Sequence, residues 1–238
     1  MKKLIFLALS VLIECNILSQ PVFKNPGLPD EESFTLHEYL DPKIGYVSSK
    51  IDIHLMERDG SKYYSVQVNE GGYYLNKIEL NYSDLTTISE KRYDLKSNTL
   101  IQYYVRKNDT IHFFDKEKGV LKIIPMKETN IYSSLAYFVS FRGFPFKIGN
   151  SVTFKTYIYM YGDVLTMKLK NVAIEKVTVK AGTYECYVLE LSVGGWQSLF
   201  ANDKYYLYFT VAPPHIFVEY KEKIDGIWMP DELVSYSP

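Results

Sequence analysis

From Lys43 onward, apolar and polar residues mostly alternate one by one, the period of a half-buried β-strand. Ile51, Ile53 and Leu55 interleave with Asp52, His54 and Met56, and Asp59-Gly60 follows as a hairpin signal. Tyr64, Val66 and Val68 line one face of the next strand, which ends at Gly71-Gly72. Further strands are predicted at 73–80, 90–94, 100–106, 110–115 and 120–125, with turn residues Lys107-Asn108-Asp109 and Lys118-Gly119 between them. Connections this short favour antiparallel neighbours. Later, Val152, Phe154, Thr156, Ile158 and Met160 alternate with Thr153, Lys155, Tyr157 and Tyr159, and Gly162-Asp163 turns the chain. Stretches 165–180, 184–193, 205–211, 216–224 and 227–236 complete the set. Residues 31–40 read equally as a helical turn or an irregular first strand.

One segment breaks the pattern. Ile131, Leu135, Phe138 and Val139 recur at i, i+4, i+7 and i+8, the spacing of an amphipathic helix. Asn130 is placed to cap its start and Gly143 to end it. The pattern predicts a mostly β fold: a long antiparallel curved sheet, a half-barrel, wrapped around one central helix. The helix must bury its apolar face on the concave side, against residues such as Phe154, Ile158, Val179 and Leu207. A half-barrel plugged by one helix closes imperfectly, so an apolar pocket is expected beside the plug. Its lining is expected from Ile131, Leu135, Phe138, Phe141, Phe154, Ile158 and Leu207, with Phe138 and Phe141 as the movable part.

The first residues differ in kind. Met1-Lys2-Lys3 is a short positive start and Leu4 to Ile13 an apolar run, as in a secretory signal and too short for a membrane span. Cleavage is expected after Ser19. The rival reading is lipidation at Cys15, but Glu14 spoils the small-residue position before that cysteine. The expected organisation is a signal peptide at 1–19, an extended Pro-containing lead-in at 20–30 and a single β-rich half-barrel domain at 31–238. No later run is long and apolar enough for a membrane helix, so a soluble mature chain, with no transmembrane segment, is expected in the periplasm or outer envelope.

Composition narrows the function classes. Lys+Arg 27 against Asp+Glu 28 leaves a net charge of -1, unlike a basic nucleic-acid binder, so no nucleic-acid partner is expected. Tyr 22 and Phe 13 are abundant, which suits strands with one dry and one wet face. His37, His54, His112 and His215 have no metal-ligand spacing, and Asp52 with His54 reads as strand-surface polarity, so no metal or cofactor is expected. No nucleophile elbow, phosphate-binding loop or Cys-x-x-Cys occurs, so no catalytic residue is assigned. Cys186 alternates with Tyr184 and Val188 and is expected in the core. Asp225, Asp231 and Glu232 are expected as solvated charges at turns or strand ends.

The second half carries a resemblance. Phe144-Pro145-Phe146-Lys147-Ile148-Gly149 is followed by Val177-Thr178-Val179-Lys180-Ala181-Gly182-Thr183-Tyr184-Glu185-Cys186. Then come Tyr208-Phe209-Thr210, Pro213-Pro214-His215-Ile216-Phe217-Val218-Glu219-Tyr220 and Asp231-Glu232-Leu233. This order resembles the bacterial envelope family called domain of unknown function 3108 (DUF3108). Residues 133–142 are similar to its serine, leucine, aromatic, arginine segment. The likeness spans residues 131–236 and is looser before. It implies an envelope protein, brings no catalytic residues, and suggests by fold analogy the half-barrel carriers of lipoproteins and lipids. Three functions follow as expectations. The first is a non-enzymatic carrier of an acyl chain, lipid or lipidated partner. The second is an envelope docking module without a pocket. The third, least supported, is an enzyme on glycans or lipids.

Overall fold

A computed structural model describes residues 22–125, 130–159, 162–194, 204–224 and 227–238. The expected signal peptide, Cys15, Met160 and Asp225 lie outside them. The alternating segments form one sheet of fifteen strands. The first eight are β1 (Glu31–Asp41), β2 (Gly45–Arg58), β3 (Ser61–Glu70), β4 (Tyr74–Asn81), β5 (Thr87–Asp94), β6 (Thr99–Lys107), β7 (Thr110–Asp115) and β8 (Val120–Pro125). After β9 (Ile131–Ser133) and a helix α1 (Tyr137–Ser140) come β10 (Ser151–Ile158), β11 (Asp163–Val179) and β12 (Gly182–Val193). The chain ends with β13 (Lys204–Thr210), β14 (Phe217–Ile224) and β15 (Ile227–Ser237). The ambiguous 31–40 segment is a strand. Its Glu32, Phe34 and Leu36 alternate inward, a period of two that one helical turn cannot keep.

The strand order runs β8 to β1, then β15 back to β9, so the first and last strands pair at the middle of the sheet. Neighbours are antiparallel except β9 and β10, which are parallel. The concave face is apolar: Phe34, Ile51, Ile53, Val66, Ile78, Leu169, Leu189, Leu207 and Leu233 share one core with Phe138 and Phe141. Phe23 and Leu28 of the lead-in are buried there as well. Phe23 meets Tyr132 at 4.6 Å, Phe154 at 5.2 Å and Phe141 at 5.3 Å, in tilted or edge-on pairs.

Among the described residues no backbone ladder joins β8 to β9; the two ends of the sheet overlap instead. Register places Tyr132 beside Thr156 on the core side, and Ile131 beside Lys155 on the opposite face, with Tyr157 two residues on. That back face is covered by the concave side of the other end: Tyr104, Ile111 and Phe113 form a second core with Ile131 and Tyr157. Gly162, with φ +60, permits the approach, because a Cβ there would stand 2.3 Å from the Phe113 ring. Across the overlap Ser133 donates its N–H to Thr87 Oγ1 at 2.8 Å and its hydroxyl to Glu90. The overlap is thus bonded through side chains and one backbone N–H. Alternation assigned Tyr157 to the wet face, yet it is buried, since a second layer lies over β10.

The central helix is much shorter than its periodicity predicts. Helical geometry covers only Tyr137–Ser140 and a 3-10 turn at Phe141–Gly143. Ile131 belongs to β9 instead. Ile131, Tyr132 and Ser133 are buried on both faces between the overlapping ends, and that environment demands a strand with a paired backbone. Asn130 is therefore not the cap; Ala136 occupies that position without a side-chain hydrogen bond. Gly143 does close the segment, where its lack of a side chain lets the Lys24 carbonyl approach.

Cys186 is fully buried on β12 in the main core, and burial pushes its thiol up to about 12. Cys186→Ala is expected to cost about 1 kcal/mol or somewhat more through lost packing. A denaturant titration measures that cost, and a thiol reagent should label the native protein only as it unfolds. Rapid labelling of the folded protein would contradict the core placement.

Candidate functional site

The seven residues expected to line a pocket separate in the structure. Phe138, Phe141, Phe154 and Leu207 meet in the main core, with Leu135 half-buried against it. Phe141 and Phe154 are edge-on at 5.3 Å. Ile131 sits in the second core, and Ile158 is half-buried at the end of β10, in neither. Next to Phe138 lies a half-buried patch of tyrosines and carboxylates, the bay, carried by neighbouring strands.

Pairing of β13, β14, β15 and β1 in that order sets Leu207, Tyr220 and Asp231 side by side across the sheet. Tyr137, the first residue of α1, stands over the bay floor. Its ring packs on Phe138 at 5.4 Å, Phe217 at 5.5 Å and Tyr220 at 5.6 Å. Tyr205 stacks on Tyr220 at 6.0 Å with the planes 12° apart. Leu207 pairs with Tyr220 across β13 and β14, so the floor beside the rings is aliphatic. Tyr137, Tyr205 and Tyr220 each keep part of their surface accessible.

Carboxylates converge on these rings. Glu38 from β1 accepts a hydrogen bond from the Ser49 hydroxyl, and Asp231 from β15 accepts one from the Tyr39 N–H at 2.8 Å. Glu222 accepts from the Tyr220 hydroxyl at 2.9 Å. Burial, then the charge of Glu70, pushes the Glu38 carboxyl up to about 7. Burial raises Asp231 to about 8, with Glu38 and Glu222 adding repulsion. The Tyr137 phenol is held well above its usual range by burial and by Asp231, Glu38, Glu222 and Glu70 in that order. The expected solvated role of Asp231 is corrected here: it lies opposite Tyr220 across β14 and β15 and accepts from the Tyr39 N–H of β1.

Beyond Glu38 the bay meets a charged pair. Arg92 on β5 makes a two-pronged contact with Glu70, at 2.9 and 2.7 Å, and reaches Asn76 at 3.0 Å. Its guanidinium lies over Tyr74 at 4.1 Å and Tyr159 at 5.1 Å. Arg92, Tyr74, Tyr159, Gln102, Asp115 and Lys118 border a polar cleft of about 210 Å³ at the overlap. In it Asp115 is met by Gln102 at 2.9 Å and Lys118 at 3.4 Å. A larger groove, about 340 Å³, lies along β11 and β12 at Ile174, Glu175, Lys176 and Glu185. It is confined to one hairpin and shares none of the bay residues. Asp52 and His54 make separate contacts on the opposite face, with Lys50 at 2.9 Å and Glu31 at 3.6 Å.

Three carboxyls with raised values have a thermodynamic consequence. Glu38 and Glu90 shift from 4.5 to about 7, and Asp231 from 3.8 to about 8, in each case mainly by burial. Between those limits the folded chain holds more protons than the unfolded one, so stability falls as pH rises. Denaturant midpoints should therefore decline from about pH 5 to about pH 8. Glu38→Gln with Asp231→Asn should flatten that slope. A midpoint rising through the window would show that these groups are not enclosed in neutral form.

The family model described as "Protein of unknown function (DUF3108)" matches residues 79–226. The chain belongs to the DUF3108 family. The match takes in β5 to β8, where the sequence likeness was loose, and stops short of the β15 motif. No curated protein matches this DUF3108 chain. Several solved structures resemble it. A β-barrel-like DUF1849 protein from Brucella abortus has TM-score 0.42 and 7% identity, covering 87% of this chain and 96% of its own. A protein of Parabacteroides distasonis described as a lipoprotein gives 0.34 and 11%, covering 92% and 100%. The hypothetical lipoprotein YmcC of Escherichia coli gives 0.30 and 9%, covering 89% and 86%. None of the three bears on the bay.

Proposed function

We propose that this DUF3108 protein is an exported, non-enzymatic binding protein of the bacterial envelope that holds a ligand with an apolar body in the bay beside α1. One observation carries the reading: Tyr137, Tyr205 and Tyr220 present accessible ring surface over a floor of buried Phe138, Phe217 and Leu207. Aromatic rings above an apolar floor, with polar groups beside them, are what a small-ligand site requires. Phe141 and Phe154 pack on each other and on Phe23 behind that floor. Export rests on the N-terminal positive and apolar run, and the envelope setting on the family resemblance.

Titration with Nile red, a neutral environment-sensitive dye, tests the site. Saturable fluorescence enhancement is expected, weakened in Tyr220→Ala at an unchanged unfolding midpoint. No enhancement with the native protein would overturn the reading. A docking module is the second reading, favoured by the free edge strand β8, where Leu121 and Ile123 are 66% and 59% exposed. If Leu121→Lys with Ile123→Lys abolishes dye binding and Tyr220→Ala does not, the apolar surface is that edge.

A further inference from the structure

We propose that the cleft at the overlap of the two sheet ends is a second binding site, for a single neutral sugar ring such as one pyranose unit of a glycan. This goes beyond the bay reading, because cleft and bay share no residue. The cleft has a volume of about 210 Å³, below the roughly 300 Å³ at which pockets for larger ligands begin, so it suits one ring and not a chain. Its walls come from both ends of the sheet. Tyr74, Arg92, Gln102 and Asp115 stand on β4, β5, β6 and β7, and Tyr159 follows β10 from the other end. Register aligns the first group: Asn76 pairs with Arg92, Arg92 with Gln102 and Gln102 with Asp115, so one polar row crosses these strands.

Hydrogen-bonding groups left over at the cleft point to a ligand. The Arg92 side chain is only 7% exposed, and three of its five N–H donors go to Glu70 and Asn76. The other two have no acceptor among the described residues, in a group that borders the cleft. A guanidinium this enclosed normally has its donors met, and a ligand oxygen would meet them. Gln102 gives an amide N–H to Asp115, which keeps its carbonyl as an acceptor. The Tyr74 and Tyr159 hydroxyls, able to donate and accept, also have no hydrogen-bond partner among the described residues. Charge decides between a sugar and an ion. Glu70 neutralises Arg92, Asp115 meets Lys118, and Glu117 adds a negative charge to the lining, so an anion finds no uncompensated cation. A cation would face the Arg92 guanidinium. Donors and acceptors held side by side, next to Ile101 and two tyrosine rings, fit a hydroxylated ring with apolar C–H faces.

The test titrates the protein with methyl glucoside, methyl galactoside, methyl mannoside and glucuronate, read by saturation-transfer NMR. At least one neutral glycoside is expected to bind with Kd of about 1 mM, the range open to a ligand of about a dozen heavy atoms. Glucuronate should bind severalfold more weakly. Gln102→Ala and Tyr159→Phe, which removes only a hydroxyl, should each weaken the glycoside about fivefold, the loss of one neutral hydrogen bond. Nile red binding in the bay should be unchanged in both. No glycoside binding at about ten times the expected Kd would overturn the proposal and leave the bay reading standing. Glucuronate bound as tightly as the glycosides, or more so, would make the cleft an anion site and contradict the neutral assignment. Glycoside binding undiminished in either variant would place the sugar elsewhere and overturn the proposal as well.

Discussion

Replacing Arg142 with alanine is expected to lower the unfolding free energy by about 3–5 kcal/mol, the range for removing one partner of a buried ion pair. Arg142 is 1% exposed, and its guanidinium pairs with Glu32 on β1, itself buried. Its Nε donates to the Pro214 carbonyl at 3.0 Å, and the Tyr236 hydroxyl donates to the other Glu32 oxygen at 3.1 Å. One side chain thus ties the turn after α1 to β1, to β15 and to the loop before β14. Arg142→Ala leaves the Glu32 carboxylate buried without its cation, which is why the loss is large. Arg142→Met combined with Glu32→Leu should recover much of it, because the stranded charge is gone. Urea midpoints at unchanged slope measure both. A loss below about 1 kcal/mol for the single change would show that α1 is anchored by something else.

Phe138→Ala should cost a comparable amount, about 3–5 kcal/mol for an enclosed phenylalanine. The ring is 4% exposed, lies edge-on to Phe34 at 5.5 Å and supports Tyr137. The space it leaves adjoins the bay floor, so the same variant should also alter Nile red affinity. Phe141→Ala, whose ring faces Phe23 and Phe154 on the far side, should lower stability with little change in dye binding. Denaturation and dye titration on the two variants separate these effects. If both alter dye affinity equally, the bay extends behind the helix, as the helical periodicity alone suggests.

Much of the fold was legible because period-two alternation is a local signal. Ile51 to Leu55, Tyr64 to Val68 and Thr110 to Asp115 are strands for reasons contained in those stretches. The overlap of the two ends was not legible. Tyr157 and Ile131 are buried by residues of β6 and β7, and nothing near them in the chain announces that cover. The same cover turned half of an apparent helix into β9. Phe23 was hidden differently, since a Pro-containing lead-in gives no periodicity to read. The acids of the bay were missed because Glu38 and Asp231 meet only through the pairing of the first and last strands. Each looks like a solvated strand charge by itself. The one available signal was phase: Glu38 follows Phe34 and Leu36 on the inward positions of β1.

The most direct test of the bay as a ligand site is native mass spectrometry of protein exported and purified without detergent. Wild type and a Tyr137→Ala/Tyr220→Ala variant would be compared at matched charge states, which report that both are folded. The wild type should carry a small-molecule adduct, released on activation, that the variant lacks. A wild type free of adduct, or an adduct retained undiminished by the variant, would contradict a ligand site in the bay.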